Sequence, residues 1–277
     1  MWVLFAILAV VAAASVFLSI PYSPTAARFH RLAAEKIASA GVAEGMFSEG
    51  DIAGLPAPVQ RYFRYCGYLG TPKMAYMRAS FEGVDFLMDG GKALQIDYRQ
   101  LNLTARPERF ALIRSSLYGI PFEGLDSYEA GVGSMRGALA KVIPLFDQRG
   151  ESMDRASLVT WLAECLLAPS AALQDFVRWE AVDETHAKAS ATWENCAVSG
   201  TFAFSESGEL LSFRTSDRVA VAMDGAETRA DWSALFGDYR SANGVLQPRV
   251  MQSVWHYEEG DSIYFNRNAA EVAIRYQ

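Results

Sequence analysis

The chain has 277 residues, 51% of them hydrophobic, and a formal charge of −7. Once an N-terminal segment is set aside, that length suits one large domain or two small ones. The acidic balance, with no run of five basic residues, argues against binding along a phosphate backbone, which needs clustered Lys and Arg.

Trp2 to Ile20 is an unbroken apolar run, WVLFAILAVVAAASVFLSI, with Ser15 and Ser19 its polar residues and Pro21 closing it. As a helix it extends roughly 28 Å at about 1.5 Å per residue, close to the thickness of a bilayer's hydrocarbon core. Three readings stand: an uncleaved anchor over 1–21, a cleaved signal peptide, and a buried core helix. The anchor is favoured, because a signal peptide joins a basic start to an apolar stretch of about 7–15 residues. Here no Lys or Arg precedes the run, and the best small-x-small site is Thr25-Ala26-Ala27. Arg28, Arg31 and Lys36 follow the run, which favours a cytoplasmic C-terminal domain.

Residues 22–54 read as a juxtamembrane helix and linker. Phe29, Leu32, Ala33, Lys36 and Ile37 recur with helical spacing over 26–40. Such a helix can lie among lipid headgroups or dock on the domain. Gly41 to Gly54 is a polar joint. Pro58 then suits a first helical turn, Val59, Tyr62, Phe63 and Cys66 share a face, and Gly67 is a stop.

The period changes from 3.6 to 2 after Lys73. Strands are predicted over 73–82, 93–104, 109–117, 120–130 and 133–143, with Asp89-Gly90-Gly91 as a hairpin turn. In the second of them, Leu94, Ile96 and Tyr98 alternate with Gln95, Asp97 and Arg99, giving one buried and one wet face. A helix follows over 154–168, capped by Ser152 or Asp154 and broken at Pro169. It is apolar over more than half its girth and calls for cover on most sides. Strands resume over 176–183, 186–194, 196–205, 209–219, 228–240, 244–258 and 262–276, with turns at Ser207-Gly208 and Asn243-Gly244. A dozen short strands without alternating helices predict an antiparallel meander that curls into a half-barrel or barrel. The fold expected over 55–277 is therefore α+β: a large curved antiparallel sheet covered by the inserted helix 154–168.

No motif names a reaction. His30, His186 and His256 are scattered, and HExxH, GxSxG and phosphate-cradling loops are absent. Cys66, Cys165 and Cys196 lie too far apart for a CxxC pair or zinc knuckle and read as small buried hydrophobes. No metal or cofactor is implied. Glu123, Asp126 and Glu129 read as a solvated strand face, with Asp126 opposite in parity to the other two. Glu164, set among apolar neighbours, needs a partner if buried, with Arg78, Arg99 or Arg114 as candidates. The aromatic supply points instead to an apolar cavity between sheet and helix. Its candidate lining is Trp161, Glu164, Cys165, Trp179, Trp193, Phe202, Phe204, Phe213 and Trp255.

Two resemblances rest on these residues. The segments LPAPVQRYFRYCG, LVTWLAECLLAPSAAL, RWEAVD and FGDYRSANGVLQP resemble an uncharacterised bacterial family with an N-terminal membrane helix and no assigned function. Asp238-Tyr239-Arg240 followed by Gly244-Val245-Leu246-Gln247-Pro248 is similar to a strand-turn-strand of LolA-like lipoprotein carriers. That likeness implies a curved antiparallel sheet capped by helices, holding acyl chains in its concavity, and a periplasmic domain. The carriers are usually soluble, whereas this chain begins with an apolar run, so the likeness bears on binding rather than shuttling. The leading expectation is a membrane-anchored, non-enzymatic domain that binds a lipid or another hydrophobic molecule. A tethered interaction protein with a membrane-protein partner, and a hydrolase using carboxylates, are the alternatives.

Overall fold

A computed structural model describes residues 1–88, 91–222 and 225–277. The expected Asp89-Gly90-Gly91 turn falls largely outside the described residues. Helix α1 (Trp2–Ser19) buries none of its residues, which removes the core-helix reading; it is long and apolar enough to cross a membrane. Helix α2 (Pro24–Ala40) starts on Ser23, whose buried hydroxyl accepts from the Ala26 N–H at 3.0 Å. Two short helices follow, α3 (Glu49–Ile52) and α4 (Ala57–Cys66), the latter stopped by Gly67 in the left-handed region at φ 76°.

The remaining chain forms β1 (Tyr76–Leu87), β2 (Ala93–Leu103), β3 (Arg109–Leu117), β4 (Ile120–Glu129), β5 (Val132–Leu139) and β6 (Ile143–Arg149), then α5 (Glu151–Glu164). After α5 come β7 (Val177–Ala181), β8 (His186–Trp193), β9 (Cys196–Phe204), β10 (Leu210–Thr215), β11 (Val219–Val221), β12 (Glu227–Arg229), β13 (Asp231–Ala242), β14 (Val245–Tyr257), β15 (Gly260–Phe265) and β16 (Val272–Tyr276). Fourteen of these strands make one antiparallel sheet, in the order β6-β5-β4-β3-β2-β1-β15-β14-β13-β10-β9-β8-β7, with β16 also on β1. The sheet curls without closing: β6 and β7 are free edges. Helix α5 connects those edge strands and packs on both β5 and β9, bridging the gap across the concave side.

Four local departures from the expected pattern have physical reasons. Residues 143–149 form a strand despite Pro144, because β6 is an edge and needs no donor on its outer side. The expected strand 262–276 is broken at Asn266, which takes φ 58° and closes a tight loop with its own side chain, Nδ2 donating to Met251 O and Ala270 O and Oδ1 accepting from Ala270 N at 2.8 Å. The expected strands 209–219 and 228–240 lose their facing ends to a separate two-stranded ribbon, β11–β12. Neither Ser152 nor Asp154 caps α5: its N-cap is Gly150, and Asp154 accepts from the Gly133 N–H at 2.6 Å instead. That bond holds β5 so close that a Cβ on Gly133 would lie 2.3 Å from Met153 O.

Both faces of β2–β4 are covered. Phe110, Leu112, Leu125 and Leu101 form a second core with Ala26 and Phe29 of α2. So α2 docks on the convex face of the sheet, and of its two expected positions this is the one adopted. Lys36 reinforces it, reaching Glu108 at 2.9 Å and Glu129 at 2.6 Å. Burial alone would lower the Lys36 pKa, but its hydrogen bonds and charge contacts with the two carboxylates outweigh that and raise it above the ordinary 10.5. A raised folded-state pKa contributes stability that is complete below the unfolded value and fades as pH rises through the folded one. Titration to pH above 10.5 is therefore expected to speed amide hydrogen exchange in α2, and Lys36→Met is expected to abolish that pH step.

All three cysteines are free; Cys66 and Cys165 are buried and Cys196 is half-buried. Burial pushes the Cys66 thiol up to about 12, so it behaves as a packing residue rather than a nucleophile.

Candidate functional site

The concave side of the sheet does not fill completely. Between β1–β4, β13–β15, α5 and the β11–β12 ribbon lies a cavity of about 530 Å³, within the size range of small-molecule sites. Its walls are apolar: Phe81, Phe86, Leu87, Leu94, Ile96, Ile113, Phe122, Met135 and Phe146 on one side, Trp232, Ala234, Phe236, Met251, Trp255, Tyr264 and Phe265 on the other. Helix α5 contributes Met153, Ala156, Ser157, Thr160 and Glu164, spaced so that they share one helix face.

A polar cluster lies at the buried side of this lining. Arg109 is ion-paired to Asp126 at 2.5 Å and to Glu164 at 3.5 Å, and it donates to Tyr98 Oη. Glu164 Oε2 also accepts from Gln100 at 2.6 Å and Asn102 at 2.7 Å. These partners replace the expected Arg78, Arg99 and Arg114. Burial by itself would lower the Arg109 pKa; contacts with Tyr98, Asp126 and Glu164 outweigh it and hold the group well above its ordinary value. Burial raises the Tyr98 phenol, so it stays protonated. Asp126 thus faces the cavity rather than solvent. Glu123 and Glu129, opposite in parity, pair on the other face of the sheet with Arg114 at 3.4 Å and Lys36 at 2.6 Å, and Glu123 is itself buried rather than solvated.

The second charge at the cavity is of another kind. Arg218, at the root of the ribbon, lies with its guanidinium 4.7 Å from the Trp232 ring and 5.4 Å from the Trp255 ring. It donates to Thr160 Oγ1 at 3.0 Å, while its buried Nε has no hydrogen-bond partner among the described residues. Among the described residues it has no carboxylate within ion-pair distance. The ribbon is fastened across the cavity by Gln148, which donates to Ala222 O at 2.9 Å, and by Ser152, which donates to Glu227.

Of the nine residues expected to line a cavity, Glu164 and Trp255 do so. The other seven, Trp161, Cys165, Trp179, Trp193, Phe202, Phe204 and Phe213, lie away from it, where α5 and the following segment press on β7–β10. Trp161 meets Phe176 at 5.5 Å, Phe176 meets Trp193 at 5.0 Å, Trp179 meets Phe202 at 5.2 Å and Phe202 meets Phe213 at 4.7 Å. The indole N–H groups of Trp161 and Trp179 are satisfied by the backbone carbonyls of Leu103 and Ala172, each at 2.9 Å. Tyr98, Gln100, Arg109, Asp126, Arg218 and Trp232 line the cavity although they were not among the expected lining residues. Strand parity carried a signal for four of them. Tyr98 and Gln100 continue the inward positions of Leu94 and Ile96, Arg109 shares parity with Ala111 and Ile113, and Asp126 with Gly124, so three of the four are strongly polar groups at inward positions.

One further constellation has the hydrogen-bond order of a hydrolytic triad. Ser233 Oγ meets His256 Nε2 at 2.8 Å, and His256 Nδ1 meets Asp261 Oδ1 at 2.6 Å. It is on the opposite face of the sheet from Trp232 and Trp255. Ser233 is 3% exposed and sits in a strand paired on both sides, with Arg214 and with Val254. A fully laddered strand offers no free N–H pair for an oxyanion. The chain of bonds clamps β13, β14 and β15 together and gives no access to an acyl substrate. Glu164 and Asp126 converge with Arg109, whereas His256 lies on that other face.

No curated protein matches the chain. Two solved structures are similar in fold. A LolA superfamily protein from Nitrosomonas europaea superposes with a TM-score of 0.42 at 7% identity, over 81% of this chain and 94% of that one. A DUF1329 family protein from Desulfovibrio piger superposes with a TM-score of 0.40 at 13% identity, over 74% of this chain and 86% of that one. Residues 45–267 match a family model, and the chain belongs to that family, the family of unknown function DUF6544.

Proposed function

We propose that this chain is a membrane-anchored binding protein that holds one amphiphilic molecule in the cavity, its apolar body against the aromatic walls and its anionic group at Arg218. The observation that carries this reading is the pairing of an apolar cavity of about 530 Å³ with one cation at its edge that has no counter-ion among the described residues. Arg109 is neutralised twice over by Asp126 and Glu164; among the described residues Arg218 has no such carboxylate. A guanidinium stacked against indole rings, with one nitrogen on Thr160 Oγ1, retains further N–H donors for a carboxylate or phosphate. The inner cluster, with more carboxylate than guanidinium charge, suits hydroxyl or amine donors on the molecule's other end.

Helix α1 supplies the anchor in this reading. Apart from Ser15 and Ser19 it is apolar, it is unburied, and Trp2 and Tyr22 mark its two ends; aromatic residues favour the two interfaces of a bilayer.

The test uses the full-length protein in amphipol with the neutral fluorescent probe N-phenyl-1-naphthylamine, displaced by decanoic acid or by decanol. The wild type is expected to release the probe to the acid at lower concentration than to the alcohol. Arg218→Gln is expected to lose at least about tenfold in acid affinity, as befits a charge-assisted hydrogen bond of about 1.5–3 kcal/mol, with alcohol affinity unchanged. An acid preference that survives Arg218→Gln would overturn the headgroup assignment. Failure of the protein to bind the probe at all would overturn the cavity reading.

A further inference from the structure

The cavity and the exit of α1 lie against the same set of hairpin ends. Lys141, in the β5–β6 turn, donates to the carbonyls of Phe17, at 2.9 Å, and Ile20, and its ammonium lies 5.4 Å from the Phe17 ring. The last turn of α1 is therefore fixed at the level of that turn. Ser23 and the docked α2 hold the chain just beyond it. The β3–β4 turn is adjacent, joined through the Ala140 N–H bond to Pro121 O at 2.7 Å.

These two turns carry large apolar side chains into open space. Tyr118 is 90% exposed, Val142 56%, Ile143 53% and Leu145 41%. Lys92, from the neighbouring β1–β2 end, donates to Tyr118 Oη at 3.0 Å and sits 4.2 Å from its ring. Apolar side chains beside an aromatic hydroxyl and lysines match the layered chemistry of a bilayer interface, where Tyr favours the headgroup level and Lys meets anionic lipid.

We infer that the β3–β4 and β5–β6 hairpin ends rest in the headgroup layer of the membrane that α1 crosses, with the cavity rim turned toward lipid. The rim follows from the register. Phe122 lies two residues after Ile120 and Phe146 directly after Leu145, with alternate side chains on opposite faces. The exposed tips and the cavity walls are thus neighbouring positions on the same strands. Leu87, Met88 and Leu94 bring the β1–β2 end to the same rim. An amphiphile would then enter from the bilayer without crossing water. This inference rests on the anchored-binder reading above and adds its orientation and the source of its ligand.

The experiment places a nitrobenzoxadiazole label on Tyr118→Cys, Val142→Cys or Ala130→Cys, in full-length protein carrying Cys196→Ser, reconstituted in phosphatidylcholine–phosphatidylglycerol vesicles. Cys66 and Cys165 are buried and stay unlabelled. Ala130 is in the turn at the other end of β4. Labels at 118 and 142 are expected to shift to the blue and to be quenched by doxyl-labelled lipid, while the label at 130 stays as in water. Equal quenching at all three positions, or none at 118 and 142, overturns the proposal. Either failure is distinct from failure of the cavity reading, which shows in probe binding.

Discussion

Arg109→Met is expected to destabilise the β domain by about 3–5 kcal/mol, the largest effect of any single side-chain truncation in the cavity. The substitution removes a buried cation from between Asp126 at 2.5 Å and Glu164 at 3.5 Å and strips a donor from Tyr98. Two carboxylates then face each other across a site of low polarity with only Gln100 and Asn102 to hold Glu164. The cost is that of the stranded charges more than the worth of the pair that was lost. Adding Asp126→Asn and Glu164→Gln to Arg109→Met is expected to recover most of the loss, because neutral amides carry no unpaired charge. Urea unfolding of the full-length protein in detergent, followed by tryptophan emission, measures both variants. A triple variant no more stable than Arg109→Met would show that the charge argument is misplaced.

Ala234→Trp is expected to reduce ligand binding by at least tenfold while leaving the fold as stable as the wild type or slightly more so. Ala234 lies on β13 between the cavity residues Trp232 and Phe236. A side chain added there enters empty space of about 530 Å³ rather than packed core, so it gains contacts that the void lacks. Overpacking costs arise only where neighbours have no room to give. The contrast with Gly200 is instructive: a Cβ there would lie 2.1 Å from the Phe213 ring. Enlarging Gly200 is a packing insult; enlarging Ala234 is a competition with the ligand.

The architecture was legible because an antiparallel meander writes itself in period 2. The alternation in β2 gave its inward face, and the count of strands forced curvature. The convex face was less legible, because Phe110, Leu112 and Leu125 have the same apolar character whether covered by α2 or by another element. The broken last strand depended on one side chain, Asn266, bonding its own loop, which no hydrophobic pattern records.

The site was less legible than the fold. Aromatic residues mark volume without saying whether it is filled, and seven of the nine expected lining residues lie in or against the packed core instead. Polar residues at inward parity were the better signal. Gln100, Arg109 and Asp126 sit where a strand's alternation demands apolar groups. Arg218 carried no such mark, since it becomes a cavity residue only through the ribbon that folds back over α5.

The central claim, that the concave side of the sheet holds an amphiphile, is tested most directly by titrating dansylated undecanoic acid into the full-length protein. Energy transfer from Trp232 and Trp255, which line the cavity, reports occupancy. The account predicts saturable transfer at one probe per chain in the wild type and its loss in Ala234→Trp. No transfer in the wild type, or an identical titration in Ala234→Trp, would contradict it.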